Sequence, residues 1–409
     1  MAKDYKELVV GLDIGTAKVM VVVAEVLPDG ELKLAGLGVA PSNGLKRGVV
    51  VNIDATVQSI QQALKEAEFM ADCKITNVYT GITGSHIRGI NSTGMVAVKD
   101  KEVTAADVAR VVETAKAINI STDQRLLLVQ PQEFVIDGQD VREPIGMSGI
   151  RLESKVHIVT GAQSAAENII KCVRRCGLEV DRLMLNPLAS SMSVLTDDER
   201  ELGVALVDIG AGTTDVAIFT NGAIRHTAVI PIAGDLITSD IAMALRTPTK
   251  DAEEIKIESG YAKQLLADPD IQVEVPGLGD RTPRMLSRQA LAGVIEPRVE
   301  EIFSLVQQVI RDSGYEEVLS SGIVLTGGSA VMPGMVELGE DIFLKPVRRG
   351  VPQYNSALAD MVAQPRAATV MGLLAEAGVD RQRGFKVSQK SGSVNSLMDR
   401  LKDWFVGNF

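Results

Sequence analysis

The 409-residue sequence has few aromatic residues, few cysteines and few histidines. Phe, Trp and Tyr make up only 3% of the chain, which contains three cysteines and three histidines. Cys172 and Cys176 lie one turn apart on a predicted helix, with no second cysteine pair and no histidine nearby to complete a metal site. We therefore expect reduced thiols in a cytoplasmic protein, and we assign no histidine to catalysis or to a metal.

Positive charge and long apolar runs are also scarce. The chain has 42 Lys and Arg against 53 Asp and Glu, a formal net charge of −11. This argues against a nucleic-acid-binding protein, which needs a basic face. No run approaches the ~18 apolar residues of a membrane span, and the charged N-terminus lacks the apolar segment of a signal peptide. A nucleotide remains possible, because backbone N–H groups can hold a small polyphosphate.

Apolar patterning predicts the main elements. Strands are expected at 8–12, 18–25 and 32–39, followed by a helix with Asp54 as its N-cap. The spacing of Ser164 and Glu167 is that of a capping box at another helix start. Pro297 predicts a break within a helical stretch at 287–312.

The strongest signal is an internal repeat. The segment Val-Gly-Leu-Asp-Ile-Gly-Thr at 10–16 recurs as Val-Asp-Ile-Gly-Ala-Gly-Thr-Thr-Asp at 207–215. In each copy an apolar strand presents an aspartate, a glycine-rich reversal follows, and a β-branched strand returns. This order differs from the strand–turn–helix of Walker and Rossmann loops. One copy alone is more often a plain hairpin, but two copies, one per predicted domain, predict a cleft that clamps a polyphosphate.

The repeat assigns the phosphate site. Glycines let the backbone approach a phosphate closely, and threonine hydroxyls add donors. Asp13 and Asp208 would repel bare phosphate, so we assign them to a hydrated Mg²⁺. The residues predicted to contact phosphate are Gly15, Thr16, Ala17, Lys18, Gly210, Gly212, Thr213, Thr214 and Gly234.

Two further features are assigned to the nucleoside. A buried strand runs into the double glycine Gly327-Gly328, a turn that could pack against an adenine base. Glu253 and Lys256 share one helix face and could contact ribose and base, although a solvated charged face would show the same spacing.

Together these motifs resemble the actin-like ATPase superfamily, and within it the FtsA family of bacterial cell-division proteins. Ala211 stands where glycine is common in that family. The likeness to the family is carried by segments 10–19, 187–191 and 207–215, by an insertion after residue 83, and by a terminal amphipathic helix. The superfamily pieces occur in the expected order along the chain: a phosphate loop at 11–18, a connecting helix at 186–190, a second phosphate loop at 207–216, an adenosine turn at 324–334, and a second connecting helix at 367–373.

The resemblance implies an α/β, actin-like two-domain fold of duplicated ribonuclease-H-like domains, with an inserted α+β subdomain and a C-terminal amphipathic helix. The expected ranges are 1–83 with 160–195 for the first core, 84–159 for the insertion, 196–235 with 306–379 for the second core, 236–305 for its small subdomain, 380–393 for a flexible linker, and 394–409 for the helix.

The resemblance also implies a function. The protein would bind ATP and Mg²⁺ and polymerise. No residue in the sequence is identifiable as the one that orients the attacking water, so we expect slow hydrolysis of ATP at most. The protein would tether the tubulin-like protein FtsZ to the cytoplasmic face of the inner membrane at the division site. FtsZ is expected on 236–305, with Arg288 and Arg298 as exposed candidate contacts. Later division proteins are expected on 84–159.

The last residues predict a membrane anchor. Leu397, Leu401, Trp404 and Phe405 fall on one helix face, and the preceding polar linker carries Arg381 and three more basic residues that favour an anionic lipid surface. A helix docked on the protein's own core, or in a partner's groove, would show the same pattern.

Two other functions fit the same fold. A small-molecule kinase needs a general base beside an acceptor, and no such residue can be named. A chaperone-type ATPase needs a substrate-binding domain after residue 380, where only 29 residues remain.

Overall fold

The computed structural model describes residues 7–28, 30–279, 281–354 and 359–382. The predicted amphipathic helix, with Leu397, Leu401, Trp404 and Phe405, lies outside the described residues. Within the described ranges, no helix has the length and apolar character needed to span a bilayer.

The first core is a five-stranded sheet with helices on both faces. Its strand order is β11-β6-β1-β2-β3, with β1 antiparallel to β2 and parallel to β6. The helices α1 and α3 pack on one face through apolar side chains such as Ile60 and Ile169. The elements are β1 Leu8–Ile14, β2 Lys18–Val26, β3 Leu32–Pro41, β4 Leu45–Lys46, β5 Val49–Val50, α1 Ile53–Ala71, β6 Asn77–Ile82, and, after the insertion, α3 Gln163–Arg175, β11 Glu179–Leu185 and α4 Asn186–Val194. Helix α5 Asp197–Leu202 follows and belongs to the second core, where its Glu199 forms an ion pair with Arg348.

The insertion between β6 and α3 is a separate α+β unit. Its antiparallel sheet has the order β7-β10-β8-β9. One helix covers this sheet, and Val111, Phe134 and Leu152 form the small core between them. The elements are β7 Arg88–Ala97, α2 Ala105–Lys116, β8 Gln124–Ile136, β9 Gln139–Val141 and β10 Arg151–Ala162.

The second core repeats the first. Its sheet order is β14-β13-β12-β17-β18, and its strand directions match those of β3-β2-β1-β6-β11 one for one. The elements are β12 Val204–Ile209, β13 Thr214–Thr220, β14 Ala223–Ile230, α6 Gly234–Leu245, α7 Thr249–Ser259, β15 Gln272–Val275, β16 Arg284–Ser287, α8 Arg288–Ser313, β17 Ile323–Thr326, α9 Met335–Phe343, β18 Val347–Arg349, α10 Ala359–Val362 and α11 Ala368–Gln382. The repeat predicted from sequence is therefore a duplication of the whole sheet.

Helices α4 and α11 join the two cores. The middle of α11 packs on the first sheet, whereas Val194 at the end of α4 and Ala368 at the start of α11 belong to an apolar cluster with the second sheet. The last turn of α11 is held to the first core, because Asp380 accepts hydrogen bonds from Tyr79 Oη (3.0 Å) and Arg182 Nη1 (2.9 Å). The predicted linker at 380–393 therefore begins too early, since the helix continues to Gln382.

Three local predictions are wrong. The first helix is capped by Asn52, whose Oδ1 accepts from Ala55 N (3.1 Å), and Asp54 lies in its first turn. Helix α3 starts after Ala162 without a side-chain cap, so the Ser164–Glu167 capping box does not form. Helix α8 continues through Pro297, which is exposed, because buried residues on both sides, such as Ile295 and Val299, pack on the core.

Candidate functional site

Two equivalent hairpin turns stand at the ends of the central strands. Gly15 N donates to Lys18 O in the first turn and Gly210 N donates to Thr213 O in the second, both at 2.9 Å. The repeated sequence thus gives the same closed turn twice. Ala17 is exposed at the tip of the first turn.

The two turns lie against each other. A Cβ atom added to Gly212 would come within 2.6 Å of Thr16 Oγ1 and 2.8 Å of the Cα of Arg47. Thr16 Oγ1 itself accepts from Gly48 N (3.1 Å), which fixes the first turn. The two halves of the molecule therefore meet at the two predicted phosphate loops, with backbone facing backbone.

Asp13 and Asp208 are buried at the bases of these turns. The second carboxylate accepts hydrogen bonds from Ser190 Oγ (2.6 Å) on α4 and Thr369 Oγ1 (3.4 Å) on α11. Burial raises the pKa of Asp13 to about 6, against the opposing effect of Lys18. Burial also raises the pKa of Asp208, although the hydrogen bond from Ser190 partly offsets this increase. The joining helices therefore orient one of the two predicted Mg²⁺ carboxylates directly.

Lys18 provides a positive charge in the same cluster. Its ammonium donates a hydrogen bond to the carbonyl oxygen of Arg366, just before α11. Burial lowers the pKa of Lys18, and the nearby Asp13 carboxylate opposes that effect. This side chain crosses from the first core to the second.

A third buried carboxyl, Asp215, is not among the predicted site residues. The Thr83 hydroxyl donates to it from the end of β6, and Thr213 Oγ1 lies 3.4 Å away. Burial, and then the nearby Asp208, raise its pKa to about 8. Asp215 pairs with Asp208 across the β12–β13 hairpin. A hairpin register worked out from the repeat would therefore have pointed to Asp215 as a site residue.

The predicted nucleoside turn packs on the second hairpin. Gly327 has φ +88, a conformation that favours glycine, and Ser329 Oγ donates to Gly210 O (2.9 Å). A Cβ atom on Gly328 would meet no other atom within 4 Å. The backbone at Gly328 therefore borders open space beside the phosphate loops.

Helix α6 begins at the same place. Gly234 N donates to Gly210 O (3.1 Å), and Lys256 Nζ on α7 donates to Gly234 O (3.1 Å). Lys256 also forms an ion pair with Glu253 (2.6 Å). The structure therefore brings together the predicted residues at 234, 253, 256, 327 and 328 beside the second hairpin.

Three predicted residues have other partners. Thr214 is buried and its hydroxyl donates to Ile232 O (2.7 Å), so that hydrogen is not directed at a phosphate. Arg288 Nε donates to Ser259 O (3.0 Å) and its guanidinium lies over the Tyr261 ring. Arg298 has a side chain only 23% exposed and forms an ion pair with Asp240 on α6 (2.5 Å). The expectation that Arg288 and Arg298 are exposed charges is therefore wrong.

The predicted Mg²⁺ would be held through its water shell. No group of three His, Cys, Asp or Glu side chains that could hold a metal directly occurs in the part of the chain that the structure describes. Asp13 and Asp208 remain suited to a hydrated ion, because two buried carboxyls beside a single ammonium leave negative charge that a cation would stabilise.

Solved structures define the class of fold. The chain resembles a chain of the PilM–PilN type IV pilus biogenesis complex, with 18% identity, a TM-score of 0.65, and coverage of 90% of this chain and 98% of that one. It also resembles MreB5 of Spiroplasma citri bound to ADP, with 15% identity, a TM-score of 0.57, and coverage of 92% and 98%. The protein therefore has the actin-like α/β fold, with two duplicated cores and an inserted subdomain, as predicted.

Sequence comparisons define the family. The family model for cell division protein FtsA matches residues 205–372, and the model for the SHS2 domain inserted in FtsA matches 84–160. Cell division protein FtsA of Pseudomonas aeruginosa is 56% identical over 98% of this chain and 98% of its own length. FtsA of Neisseria meningitidis is 51% identical over 97% and 98%, and FtsA of Escherichia coli K12 is 46% identical over 99% and 99%. The chain belongs to the FtsA family of cell division proteins, and this membership favours the cell-division prediction over the kinase and chaperone alternatives.

Proposed function

We propose that the protein binds ATP with Mg²⁺ between its two cores, polymerises, and tethers FtsZ to the cytoplasmic face of the membrane at the division site. One observation carries the nucleotide part of this proposal. The two equivalent hairpin turns face each other, each with a buried aspartate at its base.

The turns would hold the phosphates through backbone N–H groups, with Thr16 and Lys18 from the first core and Gly212 and Thr213 from the second. Asp13 and Asp208 would hold the water shell of Mg²⁺, which would offset the phosphate charge. Because the hydroxyl of Thr214 already donates to Ile232 O, we leave it out of the phosphate contacts.

The nucleoside would lie along the turn at 327–328, where the backbone borders open space. Glu253 and Lys256 already form an ion pair beside this turn, and both could rotate toward a ribose or a base. In the ranges that the structure describes we assign no residue as the base that activates water, so we expect slow hydrolysis at most.

FtsZ binding and membrane attachment rest on membership of the family. The small subdomain at 236–305 stays our candidate for the FtsZ contact, but through other residues than Arg288 and Arg298. This region exposes large apolar side chains such as Met243, Ile257 and Leu265. The insertion at 84–159 stays the candidate site for later division proteins, and the helix at 394–409 the candidate anchor.

Calorimetric titration with ATP and Mg²⁺ tests the cleft. Asp208→Asn removes the charge that the metal's water shell needs, and we expect affinity to fall by about tenfold to hundredfold, as for other outer ligands of metal sites. Asp198→Asn is the matched control, because Asp198 is exposed on α5 in the same half of the molecule. Equal affinities for the parent and both variants would show that ATP does not bind with Asp208 at the metal.

A further inference from the structure

The inserted subdomain contacts the second core, although the chain inserts it in the first. The contact lies between β14, the edge strand of the second sheet, and the strands β7, β8 and β10. We call it the polar seam, formed by Asn91, Gln132, Glu133 and His157 on the insertion and by Arg225 and Thr227 on β14.

Amide side chains of the insertion bind the backbone of β14. Asn91 Nδ2 donates to Arg225 O (3.1 Å), and Gln132 Nε2 donates to Ile224 O (2.8 Å). The buried Arg225 side chain also lies 3.6 Å from Glu133 Oε2. The edge strand is therefore held by side chains of another subdomain.

His157 fixes the orientation of the seam. Because Asn91 Nδ2 faces Arg225 O, its Oδ1 faces His157 Nδ1 (2.6 Å), which must carry the proton and donate. His157 Nε2 then accepts from the Thr227 hydroxyl (2.9 Å). Burial lowers the pKa of His157 to about 4, so the ring is neutral at pH 7, as these bonds require.

Steric fit at the seam is equally close. A Cβ atom added to Gly89 on β7 would lie 2.6 Å from Thr227 Oγ1 and 3.0 Å from His157 Cε1. Any larger side chain at this position would push β7 away from β14. The close fit therefore allows β7 and β14 to pack in a single relative position.

The seam continues into the cleft. Thr83, at the end of β6 just before the insertion, donates to Asp215 at the base of the second hairpin. Asp215 lies on β13, which pairs with β14 so that Ala217 is opposite Thr227. The hairpin turns and the polar seam are thus connected through β13 and β14, which are hydrogen-bonded to each other. Rotating the halves apart at the turns would move β14 relative to β7.

We propose that the polar seam is a latch that closes together with the cleft, so that ATP binding fixes the inserted subdomain in one position. The proposal rests on the proposed ATP binding between the cores. By thermodynamic reciprocity, whatever ATP contributes to closing the seam, the closed seam contributes to ATP affinity.

Hydrogen–deuterium exchange of the full chain, with and without ATP and Mg²⁺, tests the latch. In the parent, ATP should slow exchange in the peptides covering 88–97 and 223–230. Thr227→Val removes the hydroxyl and leaves His157 Nε2 without its donor, and Gly89→Ala wedges the strands apart. Each variant should bind ATP about fivefold more weakly, the equivalent of one hydrogen bond, and lose the ATP-dependent protection.

Thr93→Val is the matched control, because it makes the same change at an exposed position of β7. It should behave as the parent. If Gly89→Ala fails to fold, the nearly isosteric Thr227→Val decides the question. ATP binding by the parent without added protection at the seam, together with parent-like affinity of Thr227→Val, would overturn the latch alone. A parent that binds no ATP would overturn the proposed function and the latch with it.

Discussion

Gly212 keeps the two halves of the molecule in contact. An added methyl group would overlap Thr16 and the backbone at Arg47, so Gly212→Ala should hold the cleft open even without ligand. We expect a larger radius of gyration by small-angle scattering and ATP affinity reduced by about tenfold, an energy of about 1.4 kcal/mol.

Gly328→Ala provides the comparison, because its added methyl group meets no atom of the protein. That variant should leave the scattering of the free protein unchanged and reduce only nucleotide binding. Unchanged scattering for Gly212→Ala would mean that the halves do not rest on this contact.

His157 makes stability depend on pH. Its pKa is about 4 in the folded protein against an ordinary value of 6.5. Between these values the unfolded state binds more protons, so the free energy of unfolding falls as pH decreases. Each unit is worth about 1.4 kcal/mol, so this residue should account for about 3 kcal/mol lost between pH 7 and pH 4.

Urea denaturation of the parent and of His157→Gln across this range measures the effect. The variant should be less stable at pH 7, because it loses the hydrogen bonds of the ring, but its stability should fall less steeply toward pH 4. Parallel curves for the two proteins would show that His157 titrates normally in the fold.

At the residue scale, the sequence predicts the site residues that lie within the repeated segments. Asp13, Asp208 and the turn glycines lie in contiguous segments, so their common place in the two hairpins could be predicted. The Thr83–Asp215 bond and the seam depend on residues far apart in the chain, which only the packing of β14 against the insertion brings together. Thr214 was indistinguishable from Thr213 by sequence, because only the strand pairing buries its hydroxyl.

At the element scale, the positions of strands such as those at 8–12, 18–25 and 32–39 were predictable from apolar patterning, whereas helix ends were less so. Asn52 and Asp54 are both good caps, and the backbone at Asn52 decides between them by adopting the extended conformation. Pro297 lies on the exposed side of α8, where water can satisfy the freed carbonyl. The buried side therefore keeps the helix continuous.

The Arg298–Asp240 ion pair joins α8 to α6. Reversing the charge of Arg298 would therefore change the stability of the protein as well as any binding to FtsZ. Arg298→Glu would place a carboxylate beside Asp240 and near Glu301. We expect it to destabilise the protein by about 2 kcal/mol, and the double variant Arg298→Glu with Asp240→Arg to recover part of that loss.

Thermal unfolding of the two single variants and the double variant measures the coupling. If the double variant is as unstable as the sum of the single variants, the ion pair contributes nothing. Loss of FtsZ binding by Arg298→Glu alone would be evidence for an FtsZ contact only if stability were unchanged.

At the scale of the whole molecule, membrane attachment should depend on self-assembly. The predicted anchor at 394–409 offers few apolar side chains, and a single lipid chain of comparable size gives only marginal binding, with a constant of about 10⁴ M⁻¹. A polymer presents many anchors and can raise avidity by about 10²–10⁴-fold.

Vesicle sedimentation tests this expectation. Trp404→Glu places a charge in the apolar face and should release the protein, whereas a variant that cannot polymerise should bind more weakly while keeping its anchor. Equal binding by monomeric and polymeric forms at all concentrations would rule out the contribution of avidity.

The route of α11 has a mechanical consequence. Its first turn carries Thr369, which contacts the Asp208 carboxylate, and its last turn carries Asp380, which is bonded to Tyr79 and Arg182 of the first core. Tension applied to the chain beyond Gln382 would therefore act first on the contacts of this end of the helix with the first core, which also include Gln382 Nε2 to Gly30 O (3.0 Å) and Arg381 Nη1 to Glu7 Oε1 (3.6 Å). Those contacts would keep the load from reaching the first turn of α11. A small displacement there would move Thr369, which helps to orient the Asp208 carboxylate. Tension transmitted through the proposed membrane anchor would thus be borne by the first core and kept away from the joint between the two cores.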